Sequence, residues 1–522
     1  MSNQQHIKFT DKTISIAIGV FMLIAIALRL YVLYFPISFF GYLVPPGDDA
    51  TRHYQMITSI LGGNFNTGYP WLFHLFIAGI VKISGSNVID VLRVITPALV
   101  ILPSIAVYLF LKRNFGRVSA LIGFAIILWA SSYALIAYGD GNYPNIIAGG
   151  FFLPLTLLYL VLSLRERKLS YYLSTAAFAI LTLLTHHLSV AYLLMIVLSY
   201  IIVLGIWNRF EKIAENYTRT AVFIVVLLAL SALVASLFSF REIFLQAYQS
   251  IFQSGSVSAG AIFAVPIDFW DYGGQIGPFV YYGGLLGIIF LIYLLGQPKE
   301  KINKPALLLI LVWFVVTYIF SRFSQTGLPG RFARELALPL VLAQSIMIWR
   351  FIQAMRTNTQ KILTVFGLGL IITLELVQVN GGSYRSPDYF KRMIWFDSND
   401  KKSTDAIKAL IPSNEAIIAN NTTPYLPIFA ERKIIFIPLN RTPSVKTVRD
   451  FAEAAGARYV FIGRKTSANP TADGYPFFAN FDKITANLQK ALEQCTPMET
   501  DDTNSTLYDL GSCPDKTAKS LK

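Results

Sequence analysis

The sequence predicts an α-helical polytopic membrane protein of about 11 transmembrane helices, followed by a small C-terminal extracytoplasmic α/β domain. Three observations carry this expectation. Of 522 residues, 54% are hydrophobic and 14% charged, with a mean hydropathy of +0.53, well above a water-soluble domain. Apolar runs of a bilayer's length recur from Ile14 to about residue 379. From Ser383 onward, polar residues alternate with short β-like runs.

The expected spans are 14–35, 91–111, 118–137, 146–164, 171–187, 189–207, 220–240, 278–296, 304–321, 335–351 and 362–379. The first lacks a small-residue cleavage site, so it reads as a retained helix. The apolar stretch from Tyr69 to Ile83 is interrupted by His74 and ended by Lys82 and Gly85. Loop charge decides whether it crosses. With a cytoplasmic N-terminus and no crossing at 69–83, the inner loops hold Lys112, Arg113 and Arg117; Arg165, Arg167 and Lys168; Arg209, Lys212 and Arg219; Lys299, Lys301 and Lys304; and Arg350, Arg356 and Lys361. All five are net basic, as the positive-inside bias requires. A crossing at 69–83 would move all five outside. Residues 36–88 are therefore read as one large outer loop with helices lying in the interface. These loops account for much of the net charge of +14, so that charge gives no ground for a nucleic-acid partner. The domain boundaries that follow are 1–382 for the transmembrane part and 383–522 for the soluble part.

In the soluble part, Glu415 to Ala419 and Arg458 to Gly463 read as strands, and Val445 to Ala455 reads as a helix. Asn420, Asn421, Asn440 and Asn504 each begin an Asn-x-Ser/Thr triplet, compatible with an outer location. Cys495 and Cys513 could pair only in an oxidising compartment; spacing leaves their pairing open. No histidine lies nearby for zinc. No internal repeat suggests an inverted-repeat transporter.

Polar residues break the apolar pattern at five outer positions. Pro45-Pro46-Gly47-Asp48-Asp49 carries two adjacent carboxylates. The prolines stop a helix from entering, and Asp48 is a candidate N-cap for one reaching Leu61 and ending at Gly62-Gly63. On it Asp49 and His53 share a face, with Arg52 and Tyr54 alongside. Tyr138 to Asn145 is a turn of glycine, asparagine and proline in which Asp140 is a lone acid at the mouth of two spans. His186 and His187 end the span at 171–187; they suit a polar inter-helical turn, donation to a phosphate or ligation of a metal. Arg322, Arg331 and Arg334 lie on the outer face against the charge bias, with Arg331 and Arg334 on one helix face. Guanidinium forks bind phosphate two-pronged, which points to a lipid phosphate, while headgroup anchoring and a pair with Glu335 is the competing account. Last, the loop from Gly255 through Phe269-Trp270-Asp271-Tyr272-Gly273 suits an aromatic belt or a flap.

Together these pieces resemble the GT-C class of polytopic glycosyltransferases, which includes protein mannosyltransferases, aminoarabinose lipid transferases and oligosaccharyltransferases. The resemblance is one of layout over nearly the whole chain: one span, an outer loop with an acidic pair, a second acid between spans three and four, an outer basic site and an outer C-terminal domain. Asp48-Asp49-x-x-Arg52 followed by Gly68-Tyr69-Pro70-Trp71, with Arg93 opening span two, looks like the class's acid, interfacial helix and proline-containing segment.

The resemblance implies that Asp48 or Asp49 is the catalytic base or a metal ligand, and that Asp140 is the second-loop acid. It implies transfer of a sugar from a polyprenyl-phosphate donor, in contact with membrane lipids, to a protein, lipid or glycan acceptor on the outer side. Arg322, Arg331, Arg334, His186 and His187 would then hold the donor phosphate. Arg52, His53, Tyr54, Trp270, Asp271 and Tyr272 would face the acceptor. Carboxylates suit Mg²⁺ or Mn²⁺; the sequence leaves a metal open. Trp270-Asp271-Tyr272-Gly273 also resembles the Trp-Trp-Asp-Tyr-Gly motif of oligosaccharyltransferases, but it precedes three spans instead of lying in the soluble domain. That makes transfer to protein the second expectation. From another class, a flippase for lipid-linked sugars would want charge near the bilayer midplane, whereas these acids lie in loops.

Overall fold

The computed structural model describes residues 11–39, 41–47, 49–65, 69–166, 168–211, 216–237, 266, 268–297, 302–322, 329–375, 396–420, 425–436, 445–463, 481–498 and 505–513. The chain divides into two compact units. One comprises Met1–Phe35 with Met56–Gly382, the other Pro36–Gln55 with Ser383–Lys522. The acidic stretch of the first loop thus groups with the C-terminal residues, across the boundary expected from composition.

The first unit is helical and contains the membrane spans. Among the described residues eight helices are long and apolar enough to cross: Ile18–Phe39, Val88–Phe115, Arg117–Gly139, Tyr143–Arg165, His187–Glu211, Pro278–Leu295, Lys304–Arg322 and Pro329–Ala354. Three of the eleven expected spans coincide with shorter apolar helices, at Leu169–Thr185, Tyr217–Leu227 and Asn358–Leu374. The segment whose crossing loop charge argued against is the helix Leu72–Ser84, of 13 residues. At 1.5 Å per residue it reaches about 20 Å, short of a hydrocarbon core of about 30 Å.

Pro278–Leu295 packs closely on Ala337–Ala354 because its facing residues have no side chains. A Cβ at Gly287 would stand 2.6 Å from the Ala343 carbonyl carbon, so the backbones meet only over glycine. Two π-helical turns, Ile126–Ala130 and Ala148–Phe152, flank the hairpin that carries Asp140. Such turns insert an extra residue and re-aim the side chains beyond them.

The second unit is built on a five-stranded sheet, β1 (Ala416–Ala419), β2 (Lys433–Phe436), β3 (Ala457–Ile462), β4 (Pro497–Met498) and β5 (Thr506–Asp509), in the order β2-β1-β3-β5-β4. β2, β1 and β3 run parallel, while β5 is antiparallel to β3 and β4. One core holds Ile418, Val448, Val460 and Leu488 together with the Cys495–Cys513 disulfide, so the two thiols do pair. Asn420 is fully buried and donates to Gly463 O and Thr485 Oγ1 while accepting from Gly463 N–H. Its amide is structural, which removes it as a glycan acceptor; Asn421, Asn440 and Asn504 lie outside the described residues. Residues 36–55 are tied to this unit by backbone. Leu43 N–H donates to Phe396 O at 2.8 Å, and the Tyr425 hydroxyl donates to Pro45 O at 2.7 Å. Phe396 stacks on Phe429 at 4.1 Å. Tyr42 has its hydroxyl pushed up to about 12 by burial and by the nearby Asp397 carboxylate.

Candidate active site

The first-loop acids belong to the second unit. Asp48 lies outside the described residues. Asp49 opens the helix Asp49–Leu61, where a carboxylate meets the positive end of the helix dipole. Arg52, one turn on, approaches it at 4.0 Å across an exposed surface. His53 is buried, at 5% exposure, so the imidazole expected to face an acceptor is inside. Gly63, at φ +83°, ends the turn after this helix.

The remaining candidates lie in the first unit, and three groupings form. In the first, Arg334 Nη1 contacts Asp140 Oδ2 at 2.5 Å, with the two side chains 7% and 23% exposed. The arginine expected to bind phosphate and the acid expected at the reaction centre are thus one ion pair, while Glu335 also lies within the field of the Arg334 charge. Glu335 turns inward. It accepts from Asn145 Nδ2 at 2.8 Å and from the hydroxyls of Tyr133 and Tyr192 at 3.2 and 3.3 Å.

In the second grouping, Arg331 projects its charge on His187. His187 stacks on His186, and Tyr69 stands edge-on to His74, His186 and His187 with ring centroids 5.6, 6.1 and 5.1 Å apart. Backbone makes this possible: His186 is extended (φ −156°) between the helices Leu169–Thr185 and His187–Glu211. In the third, Tyr272 is buried. Its hydroxyl is 2.7 Å from Ser321 Oγ, and it hydrogen-bonds Arg322. Tyr272 therefore braces the end of the Lys304–Arg322 helix and offers no surface to an acceptor. Trp270 is 73% exposed and Asp271 is exposed with it.

Among the described residues, no three histidines, cysteines or acids are arranged to hold a metal ion. Sequence reasoning missed the inward role of Glu335 and its donors Tyr133, Asn145 and Tyr192. It also missed Arg29, buried in the first span with its guanidinium 5.5 Å from the Trp129 ring. A charged residue at or inside an apolar run is itself a signal of a working position, and both were legible on that ground.

Helices of this number and length define a polytopic membrane protein, and its fold is that of the GT-C glycosyltransferases. The model of the dolichyl-phosphate-mannose-protein mannosyltransferase family matches residues 69–235, which include Asp140, His186 and His187. Among solved structures, the chain is similar to the archaeal oligosaccharyltransferase AglB from Archaeoglobus fulgidus, in complex with an inhibitory peptide and a dolichol-phosphate. The TM-score is 0.63 at 12% identity, over 94% of this chain and 73% of that one. It is similar to ArnT from Cupriavidus metallidurans bound to undecaprenyl phosphate, with TM-score 0.56 and 12% identity over 97% and 100% of the two chains. It is also similar to the mycobacterial arabinofuranosyltransferase AftD, with TM-score 0.59 and 12% identity over 95% of this chain and 40% of that one. The A. fulgidus enzyme has also been solved with zinc and sulfate. No curated protein matches the chain in sequence.

Proposed function

We propose that the protein is a membrane glycosyltransferase that moves a sugar from a polyprenyl-phosphate donor to an acceptor hydroxyl or amide on the extracytoplasmic face. The observation that carries this reading is the assembly of Arg331, His187 and the Arg334–Asp140 pair at span ends, in a fold whose relatives hold dolichol-phosphate and undecaprenyl phosphate.

In the transfer step, an acceptor oxygen or nitrogen attacks the anomeric carbon and forms the new glycosidic bond. The bond from that carbon to the phosphate oxygen breaks, and the electron pair leaves with the phosphate. Asp48 or Asp49 takes the acceptor proton. Arg331, His187 and Arg322 stabilise the charge that develops on the departing phosphate, where fixed donors contribute most. Arg334 orients Asp140, and His186 supports His187. The remaining crossings would be made by Leu169–Thr185, Tyr217–Leu237 and Asn358–Glu375, giving the eleven spans that loop charge favours. The disulfide supports an oxidising location for the C-terminal unit.

A vesicle assay with a labelled polyprenyl-phosphate sugar tests the reading. Label should move to a new acceptor, and Asp48→Asn or Asp49→Asn should stop it while the protein stays inserted. Label that changes leaflet without a new bond would mean a flippase; full turnover in both single variants and the double variant would remove these aspartates from the mechanism.

A further inference from the structure

A carboxylate inside a membrane bundle is costly unless it is hydrogen-bonded, and one that is retained there marks a working position. Glu335 is such a group, 6% exposed at the end of the short helix Pro329–Glu335. Its donors are themselves held. The Tyr192 hydroxyl accepts from Trp313 Nε1 at 3.2 Å. Asn145 Oδ1 accepts from the Ser189 hydroxyl at 2.9 Å, and Ser189 Oγ lies 2.8 Å from His186 Nδ1. The space exists because residue 149 is glycine: a Cβ there would meet Asn145 Oδ1, the Tyr133 hydroxyl and Glu335 Oε2 at 3.0, 3.2 and 3.3 Å.

The geometry has a consequence for the neighbouring residue. Asp140 lies in the hairpin between Tyr133 and Asn145. Arg334 grips that hairpin at Asp140, and Glu335 grips it on both sides, at Tyr133 and Asn145. Two successive residues of one helix thus make a three-point clamp. We propose that Glu335 is a positioning residue of the donor site, locking the helix that carries Arg331 and Arg334 in register with Asp140 and, through Asn145 and Ser189, with His186. The inference rests on the glycosyltransferase reading above. Stability alone would be served as well by a packed apolar side chain at 335, since buried charge seldom adds to stability. What the carboxylate adds is a fixed direction for three other polar groups, Tyr133, Asn145 and Tyr192.

The test compares wild type, Glu335→Gln and the double variant Asn145→Asp/Glu335→Gln in lipid nanodiscs, reading direct binding of undecaprenyl phosphate alongside donor KM and kcat. In the double variant the amide of residue 335 donates to the new carboxylate at 145, so the bond is reversed and kept. Glu335→Gln should weaken lipid-phosphate binding and raise donor KM roughly tenfold, about 1.4 kcal/mol. The double variant should return both to within about threefold. If Glu335→Gln is not recovered folded, Tyr192→Phe, which withdraws one donor, should show the same shift at smaller size. Unchanged binding and KM in a folded Glu335→Gln protein, or a double variant no better than the single, would overturn the proposal. A wild type that binds the lipid phosphate but transfers no sugar would overturn the transfer reading, while the binding comparison would still decide the role of Glu335.

Discussion

Arg331 and Arg334 sit three residues apart on one short helix, yet their surroundings divide the work between them. Arg334 is buried and joined to Asp140, whereas Arg331 is half-exposed and its charge bears on His187. A charge-assisted contact to phosphate contributes about 1.5–3 kcal/mol, so Arg331→Ala should raise donor KM tenfold or more and, because the departing phosphate loses a donor, lower kcat as well. Arg334→Gln should act through Asp140. In a double-mutant cycle, adding Asp140→Asn to Arg334→Gln should cost little beyond the first substitution; independent, additive losses in kcat/KM would separate the two residues. The sequence showed all three arginines as exceptions to the charge bias and Asp140 as a lone acid at the mouth of two spans. It could not show which acid pairs with which arginine, because Asp140 and Arg334 are far apart in the chain and Glu335 is Arg334's nearest acid.

At the scale of elements, the soluble unit and the membrane bundle differed in how readable they were. The helix Val445–Ala455 and the strands β1 and β3 fall where composition puts them, the helix by the spacing of its apolar residues and the strands as short runs of apolar residues. The placement of residues 36–55 was not readable: Leu43 and Pro45 are held through backbone groups, which carry no sequence signature. Tyr425→Phe removes the donor to the Pro45 carbonyl, and limited proteolysis should then cut the 36–55 segment faster than in wild type; equal rates would mean that the contact does not hold the acidic loop. On the sheet, Arg458 binds Asp509 through both carboxylate oxygens at 2.8 and 2.6 Å, and Asp509 also accepts from Gly511 N–H. The arginine's hydrogen bonds hold the Asp509 carboxyl below its usual range. A carboxylate with a depressed folded pKa adds stability above the ordinary aspartate value of about 3.9 and loses it as pH falls through the depressed one. The difference in Tm between wild type and Asp509→Asn should therefore be largest near neutrality and narrow toward pH 3; a gap independent of pH would assign the effect to packing. The disulfide adds about 3 kcal/mol for a loop of this length, so reduction should lower Tm in the same unit.

At the scale of the molecule, hydropathy identified the membrane bundle, and a helix too short to span stands where loop charge argued against a crossing. Periodicity was silent on the buried polar network, because a lone glutamate at a span's edge looks the same whether it faces lipid headgroups or the bundle interior. The central claim is that the first-loop acids and the Arg331 helix work on one side of the membrane. Both native cysteines are joined to each other, so a single introduced cysteine is the sole reactive thiol. The direct measurement is labelling of Arg52→Cys and Arg331→Cys proteins, each in intact cells, with a membrane-impermeant maleimide. Labelling of both from outside is the predicted result; labelling of one from outside and of the other only after the membrane is opened would contradict a shared reaction centre.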